Sequence, residues 1–166
     1  MPDIGSYVIY GANGICIIKD KRKEKMSGTK NEYFILEPVD NPYSKIFVPT
    51  SNNSLLNKMK TLLNAEEILA LINDIGNDGM SWIADNKTRA ELFSSIIETG
   101  DRKELLKLIK CIYLKRKELS DEHKKLWAAD EATLKTAEKM INAEFGLVLG
   151  INADDVPAFI ERTLNT

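Results

Sequence analysis

Very few side chains in this sequence have the types and spacing that catalysis or metal binding requires. The single histidine, His123, has basic neighbours and no cysteine or carboxylate at zinc-ligand spacing. Gly11 and Gly14 have the spacing of hairpin-turn glycines and not that of a phosphate-binding loop. The nucleophile motif GxSxG and the zinc motif HExxH are absent. We therefore expect that the protein is not an enzyme and has no catalytic residue, no metal and no cofactor.

The most informative stretch for binding chemistry is residues 76–83, GNDGMSWI. Two glycines and two turn-forming residues interrupt a helical pattern, and Trp82, one of only two tryptophans, follows at once. An indole in that place is either an anchor folded back into the core or a flat apolar surface held out for a partner. The second tryptophan, Trp127, lies among small and aliphatic residues on a predicted helix, and we interpret it as packing.

Composition indicates what kind of protein must position these residues. A chain of 166 residues that is 43% hydrophobic and 29% charged suits one globular domain or two small ones. No apolar run approaches the roughly 20 residues that a bilayer-spanning helix needs, and the N-terminal residues lack the pattern of a secretory signal. Cys16 and Cys111 lie far apart, which is typical of reduced buried thiols. We expect a cytoplasmic monomer with no membrane partner and no small-molecule substrate.

The formal net charge of −2 conceals a basic band. Residues 102–125 contain nine lysines and arginines against four acidic residues, whereas the segments on either side are acidic. Such a band can contact phosphate groups, or it can be the solvated face of a helix. Composition alone does not choose between these two readings.

The first fifty residues have the pattern of short strands joined by tight turns. Strands are predicted at residues 6–10, 14–19, 31–37 and 45–49, with turn residues at 11–14 and 26–29. After residues 49–53 the hydrophobic period changes from two to about 3.6. The pattern predicts about five helices, of which one runs from Ser81 to Thr99, one follows an N-cap at Asp101, and a long one follows an N-cap at Ser120. The predicted class is α+β, with a sheet module over residues 1–53 and an all-α module over residues 54–166.

The order of these features resembles the CarD/CdnL family of bacterial transcription regulators. The opening IGSYVIYGANGICII is similar to that family's Gly-x-x-Val-Val-Tyr-x-x-x-Gly pattern, and NEYFILEP and IFVPTSN are similar to its later strands. The tryptophan after a turn, the helix break at residues 98–101 and Leu119-Ser120 before a long helix follow in the expected order.

This resemblance implies a Tudor-like antiparallel β module that binds the β subunit of RNA polymerase and is shared with transcription-repair coupling factors. It further implies a helical module that contacts promoter DNA, largely independently of sequence, at the upstream edge of the melting bubble. By resemblance, Trp82 is a wedge that enters the minor groove there and stabilises the open complex.

The resemblance also assigns the remaining site residues. Candidate DNA contacts besides Trp82 are Lys87, Arg89 and Lys124, because Ala84 and Asp85 occupy the positions where the family often has a pair of arginines. Fewer phosphate contacts predict weaker intrinsic DNA affinity and greater reliance on the polymerase tether. Candidate polymerase contacts are Met26, Leu36, Phe47 and Pro49, of which Leu36 could equally belong to the core of the β module.

Two other functions remain open at this point. The protein could be an adaptor that docks on RNA polymerase and binds another protein through its helices without contacting DNA. It could also be a repair-associated module that shares only the polymerase-docking half, although the chain contains no ATP-dependent motor.

Overall fold

The computed structural model describes residues 3–26 and 28–164, without the side chains of Ala12 and Met26. The chain divides into two compact units that meet between Leu62 and Leu63. We call them the sheet unit and the helical unit. The α+β class predicted from the sequence is confirmed. The boundary lies nine residues later than the predicted one at 53, because a short helix and a fifth strand still belong to the sheet unit.

The described part of the sheet unit forms one five-stranded antiparallel sheet with the order β4-β3-β2-β1-β5. The strands are β1 (Tyr7–Tyr10), β2 (Ile15–Met26), β3 (Thr29–Pro38), β4 (Ile46–Pro49) and β5 (Met59–Thr61). The charged segment after Lys19, which the sequence left as a connection to a turn, instead continues β2 as far as Met26. Opposite charges across the hairpin support that continuation, since Lys21 on the added part of β2 pairs with Glu32 of β3 at 3.7 Å.

One face of the sheet carries the core of this unit. Its buried members are Val8, Tyr10, Cys16, Ile18, Phe34, Leu36 and Val48. Helix α1 (Asn53–Leu56), capped by the Asn52 side chain, packs partly buried leucines against that core. Strand β5 then returns beside β1, with Ile9 opposite Lys60. The sequence did not predict β5, because three residues of mixed polarity show no measurable period.

The helical unit has five α-helices within its described residues 63–164. They are α2 (Ala65–Gly76), α3 (Asn86–Thr99), α4 (Arg102–Asp121), α5 (Ala128–Leu149) and α6 (Val156–Leu164), the last preceded by a 3-10 turn at Ala153–Asp155. Their apolar faces form one core around Leu108, Ile112, Leu134 and Phe145. No helix in the described residues is long and apolar enough to cross a membrane.

Two predicted helix starts are wrong. Helix α3 begins at Asn86 and not at Ser81, because the Asp85 carboxylate accepts hydrogen bonds from the backbone N–H of Thr88 at 2.9 Å and from its hydroxyl at 2.6 Å. Ser120 caps no helix, since α4 continues through it to Asp121. The predicted N-cap at Asp101 is confirmed by its contact with the Glu104 N–H.

Helix α4 ends in a tight hydrogen-bonded turn that directs the chain toward Trp127. The N–H of Lys124 donates to Leu119 O at 2.7 Å and that of His123 to Ser120 O at 3.0 Å, the paired bonds of a Schellman motif. His123 occupies the left-handed position with φ of 60°, where glycine is the usual residue. Residues 122–126 therefore form a loop, and α5 starts directly after Trp127.

Candidate functional sites

Trp82 lies in the irregular segment between α2 and α3, and its indole is half-buried. The ring packs edge-on against Phe93, with 6.3 Å between ring centres. The Arg89 guanidinium lies 4.3 Å from the indole centre and the Lys115 ammonium 5.5 Å from it. Such cation–aromatic contacts are worth about 0.5–2 kcal/mol each. The ring is therefore packed partly against the core of the helical unit and partly accessible, between the two arrangements that the sequence left open.

Arg89 is the residue that fixes this segment. Its side chain is 3% exposed and forms a two-point ion pair with Asp130, with N···O distances of 3.0 and 2.8 Å. The same guanidinium donates to the backbone carbonyl of Ile83 at 2.8 Å and to the Asn86 side chain at 2.8 Å. Its N–H groups thus donate to acceptors before α3, in the first turn of α3 and on α5. This placement corrects the prediction that Arg89 contacts DNA, since a phosphate would have to displace Asp130.

Trp127 is the more exposed of the two tryptophans, with 48% of its surface accessible. Its ring centre lies 5.6 Å from the same Arg89 guanidinium, on the residue that precedes α5. The interpretation of Trp127 as a packing residue is therefore wrong. Its neighbour Leu126 takes the core position instead, with 9% exposure.

The two halves of the basic band of residues 102–125 differ in whether their cations contact other parts of the protein. In the first half, Arg102 forms a two-point pair with the buried Glu144 at 3.0 and 2.9 Å, and Lys110 donates to the Ile75 carbonyl at 3.0 Å. Lys103 and Lys107 both lie within 3.5 Å of the Asp78 carboxylate. These cations stabilise the fold. Those of the second half, Lys115, Arg116, Lys117, Lys124 and Lys125, are half-buried or exposed and follow α4 toward Trp127.

Two of the predicted DNA contacts remain accessible. Lys87 is exposed in the first turn of α3. The Lys124 side chain is 67% exposed and lies 3.4 Å from Glu122, an exposed pair that costs little to separate. The family resemblance proposed these two lysines together with Arg89, and the sequence did not indicate that Arg89 faces inward.

In the sheet unit, β4 is the end strand of the described sheet. The N–H of Thr50 donates to Glu32 O at 3.0 Å, and backbone groups alternate between the two sides of an antiparallel strand. The Val48 backbone therefore points toward β3, while the N–H and C=O of Phe47 point toward the open edge. The Phe47 side chain is 36% exposed and packs edge-on against Tyr33, with 6.1 Å between ring centres. Phe47 thus offers both an aromatic surface and outward-facing backbone groups suited to strand addition.

Comparison with known proteins identifies the sheet unit. Residues 3–60 match the CarD-like/TRCF RID domain. The sheet unit is thus similar to a CarD-like/TRCF RID domain over nearly its whole length, and we refer to it as the RID domain. This confirms the resemblance noted from the sequence and shows that the protein carries an RNA polymerase-interacting module. No curated protein matches the chain. The match ends before the helical unit begins.

The four predicted polymerase contacts have different positions within the RID domain. Leu36 is fully buried in its core, which corrects the prediction that it contacts polymerase. Phe47 and Pro49 lie together on the face opposite that core, opposite Ile35 and Tyr33 of β3, and remain candidates. Met26 is the last residue of β2, and its side chain lies outside the described part of the structure.

Burial, hydrogen bonds and nearby charges explain the shifted pKa values in both units. Burial raises the pKa of the Cys16 and Cys111 thiols, both of which are free, so each stays protonated at neutral pH. Hydrogen bonds from the Thr88 side chain and backbone lower the pKa of the Asp85 carboxyl. Backbone donation from Gly79 and contact with Lys107 likewise lower the pKa of Asp78. The hydrogen bonds that lower these two pKa values also hold the α3 cap and the turn at Asp78–Gly79 in place.

Proposed function

We propose that this protein is a transcription regulator that docks on the β subunit of RNA polymerase through its RID domain and stabilises the promoter open complex through its helical unit. The observation that carries the proposal is the RID domain over residues 3–60, which supports polymerase binding. The helical unit adds a loop-borne indole, Trp82, whose orientation is maintained by Arg89.

The docking element is the β4 edge. A strand of the β subunit that pairs with β4 would receive the outward N–H and C=O of Phe47, while the Phe47 ring and Pro49 supply an apolar contact. Aromatic anchors at such positions typically contribute about 2 kcal/mol or more to binding.

The DNA-contacting element is Trp82 with the exposed lysines Lys87 and Lys124. An aromatic ring against a disrupted base step replaces part of the lost stacking, which is worth roughly 1–3 kcal/mol per base. About 1.4 kcal/mol shifts an equilibrium tenfold, so one ring suffices for a regulatory effect. Because minor-groove chemistry distinguishes base pairs poorly, the polymerase supplies the promoter specificity.

The docking step is tested by the affinity of the full chain for an isolated β-subunit fragment. Phe47→Ser should weaken binding roughly thirtyfold, the equivalent of about 2 kcal/mol. Tyr43→Ser is the matched control, since Tyr43 is 96% exposed on the loop before β4 and should bind normally. Equal affinities for the two variants would exclude the β4 edge as the docking element.

The DNA step is tested by the lifetime of open complexes formed by polymerase holoenzyme with the full chain. Trp82→Ala should shorten the lifetime severalfold while leaving polymerase binding intact, and the enhancement by the native chain should fall as salt rises. A variant that unfolds the helical unit by circular dichroism would assign Trp82 to the core. An unchanged lifetime with a folded variant would exclude the wedge.

The adaptor function has a specific observation in its favour. Leu114 is 60% exposed and Tyr113 is 36% exposed on the outer side of α4, where they line a shallow cleft of about 580 Å³. An exposed apolar pair of this kind suits a protein partner. Unchanged open-complex lifetime with Trp82→Ala, together with a changed lifetime for Leu114→Glu, would favour the adaptor.

A further inference from the structure

The Trp127 side chain is more exposed than expected for a residue that only packs against the core. Large aromatic side chains are usually mostly buried, yet about half of this indole is accessible. It immediately precedes the 22-residue helix α5 and follows the core residue Leu126, so its backbone is fixed at both sides. A ring that is accessible and already ordered loses little conformational entropy when it binds a ligand.

Arg89 connects this ring to Trp82. The guanidinium carbon lies 4.3 Å from the centre of the Trp82 ring and 5.6 Å from that of Trp127, so the two ring centres are at most 9.9 Å apart. Neighbouring nucleotides in a stacked strand rise by about 3.4 Å, so the two ring centres are separated by at most about three nucleotide steps. Both rings therefore lie within the reach of one short piece of nucleic acid.

The surrounding charges favour a polyanion. Lys124 and Lys125 are exposed three and two residues before Trp127, and Lys115 lies 5.5 Å from the Trp82 ring. Of the acidic residues nearby, Asp130 is buried against Arg89. Glu118, Glu122 and Glu131 form pairs at the surface with Lys115, Lys124 and Arg116, and such pairs cost little to separate when a phosphate binds. Aromatic rings combined with cations are the usual composition of surfaces that bind unpaired bases.

We propose that Trp127 is a second base-contacting residue, which stacks on an unpaired nucleotide of melted DNA a few steps from the one that Trp82 contacts. This inference rests on the proposed function, since the RID domain must bring the helical unit to the open promoter. It assigns Arg89 a positioning role, because one buried guanidinium holds both rings in register.

The test uses the full chain, polymerase holoenzyme and a promoter in which single nucleotides at the upstream edge of the bubble are replaced one at a time by abasic sites. On intact promoter, Trp127→Ala should shorten open-complex lifetime about fivefold or more, the lower end of the loss of one base stack. Trp127→Phe, which keeps a flat ring, should retain most of the lifetime. Tyr43→Ala is the control for removal of an exposed aromatic side chain elsewhere.

The abasic series distinguishes base stacking from other contacts. At one position the missing base and Trp127→Ala should be non-additive, so that the substitution no longer shortens the lifetime there. If Trp127→Ala has the same effect at every abasic position, the ring contacts protein or phosphate and the inference is wrong. A folded Trp127→Ala variant with native lifetime overturns it as well.

The Trp82→Ala variant tests the proposed function separately from the inference about Trp127. Loss of lifetime with Trp82→Ala but not with Trp127→Ala keeps the proposed function and rejects the second contact. The reverse result keeps a base-contacting Trp127 and rejects Trp82 as the wedge. Native lifetimes in both folded variants reject both proposals.

Discussion

The Arg89–Asp130 ion pair should be the most sensitive single contact in the helical unit. Both side chains are almost fully buried, at 3% and 4% exposure, and they join α3 to the first turn of α5. Asp130→Ala leaves the Arg89 guanidinium in the interior without its counter-charge. Removal of one partner from such a pair typically costs 3–5 kcal/mol, because the remaining charge has lost its water and gained nothing.

The geometry supports the same magnitude independently. Asp130 accepts two hydrogen bonds from Arg89, at 3.0 and 2.8 Å. Hydrogen bonds between charged groups contribute about 1.5–3 kcal/mol each, so losing both removes at least about 3 kcal/mol. Glu131→Ala provides the matched control on the next residue of α5. Its pair with Arg116 is about two-fifths exposed on both sides, and such pairs contribute about 0–1 kcal/mol.

The assay is urea denaturation followed by tryptophan fluorescence. Both tryptophans of the chain lie in the helical unit, so this signal reports the unfolding of that unit and not of the RID domain. Asp130→Ala should lower the free energy of unfolding by 3–5 kcal/mol, whereas Glu131→Ala should lower it by less than about 1 kcal/mol. The folded emission of Asp130→Ala should also change, because Arg89 contacts both rings.

A small difference between the two variants would refute the reasoning. If Asp130→Ala costs no more than Glu131→Ala, Arg89 does not depend on a buried counter-charge and cannot be what fixes the Trp82 segment. Arg89→Lys gives a further check, since a lysine cannot reproduce the two-point pair and the contacts with Ile83 and Asn86 at the same time. It should therefore be nearly as destabilising as Asp130→Ala.

Three further predictions concern single backbone or capping features. His123→Gly should stabilise the helical unit by about 1 kcal/mol in urea denaturation, because glycine adopts the left-handed conformation at φ 60° without strain, whereas His123→Ala should give no gain. Gly146→Ala should lower the thermal midpoint although alanine favours helices, because the new Cβ would lie 3.2 Å from the Ala153 backbone. An unchanged midpoint would show that the 3-10 turn can move away from it. The Asp85 cap has a lowered carboxyl pKa, so its stabilisation of α3 is complete above the ordinary value of 3.8 and disappears as the pH falls through the lowered value. Asp85→Ala should therefore reduce the thermal midpoint at neutral pH and have a progressively smaller effect under acid conditions.

The sequence predicts those parts of the fold that depend on local periodicity and caps. The α+β class, the Asp101 cap and most strands can be predicted because they depend on residues that are close together in the sequence. The extension of β2 and the existence of β5 do not, because charged or short strands are held by cross-strand partners that lie far along the sequence. The start of α3 was misplaced for a local reason, since both Ser81 and Asp85 are good caps and only Asp85 meets its partner.

The site is less predictable than the fold, because exposure depends on tertiary contacts. Arg89 and Lys87 have the same charge and lie two residues apart, yet one is buried against Asp130 and the other is exposed. The useful signal for Arg89 is that it projects from the same side of α3 as the core residues Phe93 and Ile96, four and seven positions later. The sequence around Trp127 does not indicate that its ring is exposed, because the adjacent Leu126 fills the apolar position in the core that Trp127 was expected to fill.

The division of the basic band bears on how the protein reaches DNA. Because Arg102, Lys107 and Lys110 are engaged in internal contacts, fewer cations can meet phosphate than composition suggests. Each missing phosphate contact lowers affinity for free DNA and flattens its salt dependence. A tether compensates for this weakness, since linked modules experience effective concentrations near the millimolar range. The RID domain is therefore as necessary for the proposed DNA contact as the tryptophans, and a chain carrying Phe47→Ser should lose open-complex stabilisation even though its helical unit is unchanged.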